Sequence, residues 1–278
     1  MPLIRTNTLH PTGEEIFGHM EGVAPGSVQG PLVSCLMVTH GDRPAVREAI
    51  LGYQRQTYRN RELVIVTIAE DNLVPPLLAE LGDPSIRHHR AAPTPLGTLR
   101  NVSVDHAAGA LLCLWDDDDL YHPLRIEFQL AALNAAGAAA CFLSRWVLWQ
   151  IAAQRIAYSA YRLWEGSMLI RREAMLRYPP LARGEDTELL RALRSRSTLV
   201  AIDVPGLYCY VQDGTNTWQP SHFEGLMARA TQRFEGEQYR TMLADLSQAM
   251  PIAARAARLS LAGPPAAGQA SLPSGDRS

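Results

Sequence analysis

The chain is expected to adopt an α/β fold: a mostly parallel sheet with helices on both faces, plus a smaller antiparallel portion. Three observations carry that expectation. Continuous apolar runs of strand length at 32–39, 62–68 and 110–115 alternate with helix-period segments over residues 32–136. Runs that are apolar at nearly every position suit strands covered on both faces. The run at 110–115 ends abruptly in Asp116, Asp117, Asp118 and Asp119, with Pro123 close behind. Ligands of open α/β sheets bind beyond the carboxyl ends of the strands.

Taken in order, residues 1–30 mix Pro, Gly, Thr and Glu without periodicity and read as a flexible lead-in. The first strand, 32–39, is broken by His40-Gly41-Asp42-Arg43-Pro44. A helix follows over 44–56 with Val46, Ile50 and Tyr53 on one face. The next strand is 62–68, and strand–helix–strand implies a parallel pair with a right-handed crossover. A short helix (72–81), a short strand (85–90) and a helix (96–108) ended by Gly109 come next. The fourth strand is 110–115, and the helix of 123–136 opens on Pro123 as its first residue.

The second half is more aromatic. Residues 140–150 and 155–161 read as two antiparallel strands rich in Trp and Tyr. A short strand at 168–170 precedes a helix running through Arg177, stopped by Pro179 and Pro180. Gly184-Glu185-Asp186 opens a helix to about residue 195; strands 199–204 and 207–211 follow. Asn216-Thr217-Trp218 forms a polar turn, His222 begins an amphipathic helical region to about residue 259, and the Pro/Gly/Ala/Ser-rich stretch 262–278 reads as disordered. The expected organisation is therefore a lead-in (1–30), a main domain (31–225, with halves 31–123 and 124–225), a helical extension (226–261) and a tail (262–278).

Composition removes whole classes of function. Every one of the 26 basic Lys+Arg residues is arginine. A Walker-type phosphate loop, Schiff-base catalysis and pyridoxal-phosphate chemistry all need lysine and are excluded. A net charge of −2, with no basic block, gives no field for nucleic acid. Cys35, Cys113, Cys141 and Cys209 each lie in or beside an apolar run without a CxxC pair. They read as buried thiols of a protein in the reducing cytoplasm. No apolar stretch reaches the roughly 20 residues of a membrane span, which leaves only peripheral membrane contact open.

The Asp tetrad is an electrostatic problem. Two unit charges about 4 Å apart cost roughly 4 kcal/mol at an effective dielectric near 20. Either water solvates the four carboxylates, with Asp119 capping the next helix, or a cation joins them. If the strand stays extended past Trp115, Asp116 and Asp118 share one side, an oxygen pair suited to a hard divalent ion.

Five pieces in order resemble family 2 glycosyltransferases of the GT-A fold, over roughly residues 31–225. They are Val33–Thr39 as the opening strand, Gln56-Thr57-Tyr58-Arg59-Asn60-Arg61-Glu62-Leu63 as the "QTYxNxEL" link, and the Arg100-Asn101 pair. The "DxDD…P" motif, Asp116 to Asp119 with Pro123, and the late Glu185-Asp186 complete the set. The resemblance implies a GT-A-like, Rossmann-type sheet with an antiparallel acceptor side. It also implies transfer of a sugar from a nucleotide-sugar donor to a hydroxyl acceptor: a glycan, a lipid-linked sugar or a small molecule.

Roles follow from the same resemblance. Asp116 and Asp118 would hold Mn2+ or Mg2+, with His222 as a third ligand or else a solvated helix-start histidine. Asp117, Thr39 and Arg100 would lie by the nucleotide. Trp164, Glu165 and Glu185 would face the acceptor, though Trp164 suits the core equally. Asp186 would be the general base, a role compatible with its reading as a helix N-cap. One departure stands out. The family's Asp-Asp-Gly-Ser turn after the second strand is absent; Thr67-Ile68-Ala69-Glu70-Asp71 takes its place, so Glu70 or Asp71 would have to read the nucleotide from a shifted position. That departure leaves room for a second reading, a non-catalytic domain holding a nucleotide sugar or a partner. A nucleotidyltransferase on a related sheet is a third.

Overall fold

The computed structural model describes residues 3–40, 45–69, 72–214, 216, 218–252 and 255–257. The first half comprises β1 (Leu3–Leu9), β2 (Glu15–Glu21), β3 (Val33–Thr39), α1 (Ala45–Gln54), β4 (Arg61–Ile68), α2 (Val74–Leu81) and β5 (Ile86–Ala91). There follow α3 (Leu96–His106), β6 (Leu111–Leu114), β7 (Leu120–Tyr121), α4 (Arg125–Ala135), β8 (Ala140–Leu143), β9 (Val147–Gln150) and β10 (Arg155–Tyr158). The remainder is β11 (Leu169–Arg171), α5 (Glu185–Arg194), β12 (Leu199–Ile202), β13 (Tyr208–Gln212), α6 (Pro220–Ala228), β14 (Gln232–Phe234) and α7 (Gly236–Ser247).

Nine strands form one sheet in the order β2-β1-β12-β8-β11-β6-β3-β4-β5. From β6 to β5 every pairing is parallel, as is β8 with β12. The sheet is nonetheless mixed, because β11 runs antiparallel between β6 and β8, and β1 and β2 add an antiparallel edge. The apolar runs are buried on alternating faces. Cys35, Met37, Leu63, Ile65 and Cys113 pack with Val46, Ile50 and Tyr53 of α1 and Ile126 and Leu130 of α4. Leu36, Val64, Leu112 and Leu114 pack on the opposite side with Leu189, Leu190 and Leu193 of α5.

The arrangement 6-3-4-5 creates the feature that places the site. The chain leaves β3 outward through β4 and β5, then returns to add β6 on the other side of β3. The carboxyl ends of β3 and β6 therefore flank a topological switch point, where the diverging connections leave a crevice. Thr39 ends one of these strands and the Asp tetrad follows the other.

Several expectations are corrected. Residues 3–21 are not a loose lead-in but a β-hairpin whose first strand pairs with β12, Leu9 opposite Leu199. The run 140–150 breaks at Ser144-Arg145. Its first part joins the main sheet and its second part joins a separate five-stranded sheet, β14-β10-β9-β13-β7. The expected helix after Ile170 is a single 3-10 turn, Arg172–Ala174. The region begun by His222 contains α6, the strand β14 and α7 rather than one helix. There Leu246 and Tyr239 of α7 close over Trp149, Ile156 and Val211 of the second sheet. The tail 262–278 lies outside the described residues.

Candidate active site

A cleft of about 340 Å3 opens at the switch point. Its walls include Thr39, Arg100, all four aspartates of the tetrad, Trp164, Glu185 and Asp186. Segments far apart in sequence thus converge on one cavity, and its polar lining is dominated by carboxylates.

The tetrad does not continue the strand. Regular pairing stops at Leu114, and Asp117 and Asp118 lie in a bend, so simple alternation does not set their directions. Each carboxylate instead has its own neighbourhood. Asp116 Oδ1 accepts from Arg100 Nη2 at 3.0 Å. Asp118 Oδ2 accepts from Asn216 Nδ2 at 3.2 Å. Asp117 is buried at 6% exposure. Asp119 accepts the Tyr208 hydroxyl and, at 3.0 Å, the Val211 N–H. It is an internal brace to β13, not the cap of the following helix. Burial, then the neighbouring charges of Asp118 and Asp116, push its pKa well above the usual carboxylate range against those two hydrogen bonds.

Arg100 joins the two acidic segments of the cleft. Its Nε donates to Glu185 Oε1 at 2.8 Å while Nη2 holds Asp116. The helix carrying it is fastened to the same stretch along its length. Asn101 exchanges two 2.9 Å hydrogen bonds with the backbone of Tyr178, and Asp105 pairs with Arg177. Gly97 N–H donates to Leu181 O at 3.0 Å. The Arg100-Asn101 pair thus acts as a staple between α3 and the 178–186 segment.

Glu185 is buried at 2% exposure. Burial raises its pKa, partly offset by Arg100. Asp186 is half-buried in the second position of α5, where its Oδ1 accepts the Thr187 N–H at 2.7 Å. The N-cap is Gly184, with a left-handed φ of 74°, so the cap assignment for Asp186 is corrected by two positions. Glu165 lies beside this helix end, accepting from the Thr187 hydroxyl at 3.4 Å and pairing with Arg162. Burial, offset by Arg162, raises its pKa as well. Trp164 borders the cleft and belongs to the core at once: its ring stacks on Trp146 at 4.4 Å and tilts on Tyr210 at 5.0 Å.

His222 does not join the carboxylates. Its ring stacks on Trp218 at 4.7 Å and meets Tyr210 edge-on, and burial lowers its pKa. Among the described residues no three His, Cys, Asp or Glu side chains form a metal-binding group. Glu70 and Asp71 lie outside the described residues. All four cysteines are buried and free, and no helix among the described residues is long and apolar enough to cross a membrane.

Sequence reasoning missed how the far wall is built. Tyr208 and Tyr210 project from β13 on the side opposite Cys209 and Val211, a period-two pattern visible in the sequence. Asn216 also donates to Val211 O at 2.8 Å, and its Oδ1 receives the Asp213 N–H at 3.2 Å. Asp213 is held in turn by Arg255 Nη2 at 2.7 Å, from a side chain with no exposed surface. No local signal marks Arg255, because its partners are remote in sequence.

Comparison with known proteins bears on the fold. No family model matches the chain. It is 29% identical over 104 residues to an uncharacterized glycosyltransferase of Rickettsia typhi, covering 37% of this chain and 32% of that protein. A second, from Rickettsia felis, is 30% identical over 111 residues, 40% of this chain and 18% of the relative. The chain thus matches a third or less of the length of these two relatives. Among solved structures, S. aureus TarS 1–349 in complex with UDP-GlcNAc superposes with a TM-score of 0.55 at 12% identity, over 70% of this chain and 64% of that one. The mannosyltransferase PcManGT from Pyrobaculum calidifontis, in complex with GDP-Man and Mn2+, gives 0.54 at 15% identity over 87% and 78%. The chain shares the fold of these two solved structures.

Proposed function

We propose that the chain is a metal-dependent, inverting glycosyltransferase of GT-A type, moving a sugar from a nucleotide-sugar donor to a hydroxyl acceptor. The observation that carries this reading is the convergence of the Asp tetrad and Glu185-Asp186 on one switch-point cleft, bridged by Arg100. Six carboxylates line the cleft against two guanidinium groups, Arg183 and an Arg100 already committed to two of those carboxylates, so a diphosphate is disfavoured there unless a cation accompanies it. Asp116 and Asp118 offer only oxygen donors, the choice of a hard ion. Mg2+-type sites commonly take one or two carboxylates, with substrate phosphates and water completing the shell. The donor set therefore fits Mn2+ or Mg2+ held by these two residues, without His222. When bound, the ion would supply Lewis-acid stabilisation of the charge on the departing nucleoside diphosphate.

The rest of the chemistry belongs to the protein. Asp186, at the helix N-terminus on the cleft wall, takes the proton of the acceptor hydroxyl. The acceptor oxygen bonds to the anomeric carbon as the bond to the diphosphate breaks, and the configuration inverts. Glu185, tied to Arg100, fixes the turn that presents Asp186. Asp117 and Thr39 line the nucleotide side.

The decisive assay combines calorimetry of nucleoside diphosphates and sugar nucleotides, with and without Mn2+, and donor turnover. Metal-dependent binding of one donor class is expected. Asp186→Asn should keep that binding and lose about 100- to 10,000-fold in turnover, the usual contribution of a positioned base. Full transfer activity in Asp186→Asn would overturn the base assignment.

A further inference from the structure

A second cavity, of about 540 Å3, lies on the face of the sheet that carries α5. Its floor is one face of three paired strands: Arg5, Asn7 and Leu9 of β1, Glu15 and Phe17 of β2, and Ala201 of β12, with Asp203 just beyond that strand. Tyr161, Arg162 and Arg194 form the remaining walls. Phe17 and Tyr161 are 76% and 56% exposed, two large rings presented to the same cavity.

Tyr161 is also held in place. Its hydroxyl donates to Asp203 Oδ2 at 3.3 Å, and the Arg145 guanidinium sits 4.6 Å from its ring centroid. Arg145 is itself fixed by a bidentate pair with Asp203 at 2.8 and 3.0 Å. An exposed ring whose orientation is fixed in advance is a binding surface with little entropy left to lose. Around it stand planar forks. Arg5 and Arg194 carry no ion pair among the described residues, and Glu15 accepts from Asn7 at 3.0 Å. Rings that pack on C–H faces, together with planar donors and acceptors that match pairs of hydroxyls, are the chemistry that recognises carbohydrate.

Both walls lead to the candidate active site. Trp164, on the cleft, follows Tyr161 and Arg162 by two or three residues, and Arg162 pairs with Glu165 beside Thr187. Helix α5 carries Asp186 at one end and Arg194 at the other, about 12 Å apart at 1.5 Å rise per residue. We propose that this cavity is a subsite for the distal sugars of an oligosaccharide acceptor whose terminal hydroxyl reaches Asp186. The inference rests on the transferase reading, and names its acceptor class.

Saturation-transfer NMR on the full chain, with cellotetraose, chitotetraose, maltotetraose and a tetragalacturonide as probes, tests it. Binding of at least one probe is expected, reduced about tenfold or more in Phe17→Ala and Tyr161→Ala and retained in Asp186→Asn. Tyr161→Phe keeps the ring and gives up only the Asp203 bond. Retained binding there, with an unchanged melting temperature, separates a lost ring from a lost fold. Silence from all four probes, or undiminished binding in both alanine variants, overturns the subsite. Donor turnover measured alongside separates the two readings. Ring-dependent binding without any turnover sinks the transferase and leaves the subsite, and turnover without ring-dependent binding does the reverse.

Discussion

Arg100 donates to Asp116 through Nη2 at 3.0 Å, and its remaining fork reaches Glu185 through Nε at 2.8 Å. One guanidinium thus fixes the relative position of the tetrad and the turn bearing Asp186. Lysine has the charge but not the two-armed plane. Arg100→Lys is expected to lower kcat by about tenfold or more with a modest change in melting temperature. Arg100→Ala leaves Glu185 buried and uncompensated and should cost about 3–5 kcal/mol of stability. Steady-state kinetics and urea melts read both. Wild-type kinetics in Arg100→Lys would remove the bridge from the mechanism.

Asp118 is positioned from a distance. The path runs from Arg255 to Asp213, from the Asp213 N–H to Asn216, and from Asn216 to Asp118. Arg255→Ala and Asn216→Ala are both expected to raise the Mn2+ concentration for half-maximal donor binding by about tenfold, and Asp118→Ala to abolish the metal dependence. Calorimetric metal titrations at fixed donor distinguish this from lost stability, since Asn216 is partly exposed and its replacement by Ala should leave the melting temperature nearly unchanged.

Gly97 is needed for space. A Cβ added there would meet the Pro179 carbonyl oxygen at 1.9 Å, with backbone on both sides of the clash. Gly97→Ala should therefore push α3 away from the 178–186 segment. The expected cost is about 1–3 kcal/mol, which at roughly 2–4 °C per kcal/mol is a visible drop in melting temperature. A fall in kcat should accompany it, because Arg100 and Asp186 sit on the two separated parts.

Glu62 supplies a pH dependence outside the cleft. Burial opposes its ionisation, but the Ser34 hydroxyl, the Ala108 N–H at 2.6 Å and Arg87 outweigh it and hold the carboxyl below its usual range. A depressed value in the fold means stability that is present above the unfolded value, about 4.3. That stability is lost as pH falls through the folded value. Glu62→Gln is expected to cost about 1–3 kcal/mol at neutral pH and to flatten the acid limb of stability. Urea melts between pH 3 and 7 measure both effects.

The strands β3, β4 and β6 were legible because each is apolar on both faces, and a buried parallel strand needs no partner information to be recognised. At the cleft, the tetrad is conspicuous because it ends an apolar run, whereas Glu185-Asp186 adjoins no such run and was singled out by the resemblance alone. Other features depend on remote partners. Leu3–Leu9 alternates weakly and is recognisable as a strand only through its partners, β2 and the remote β12. The break at Ser144-Arg145 is invisible until the two sheets separate. The surroundings of His222 were not legible, because a histidine at a helix start says nothing of the Trp218 ring stacked on it. Arg255 lies in a stretch whose pattern reads as an ordinary amphipathic helix.

The hairpin at the sheet edge has a consequence for the order of assembly. Leu9 finds Leu199 only after about 190 further residues are made, roughly ten to forty seconds at about 5–20 residues per second. Until then β1 and β2 form a two-stranded ribbon, marginal in water by itself, with Ile16 and Phe17 already showing. Of the paired strands β1 and β12, the earlier waits for the later, and the cavity they floor together exists only once β12 has been made. A nascent chain paused before β12 would lack that outer cavity altogether.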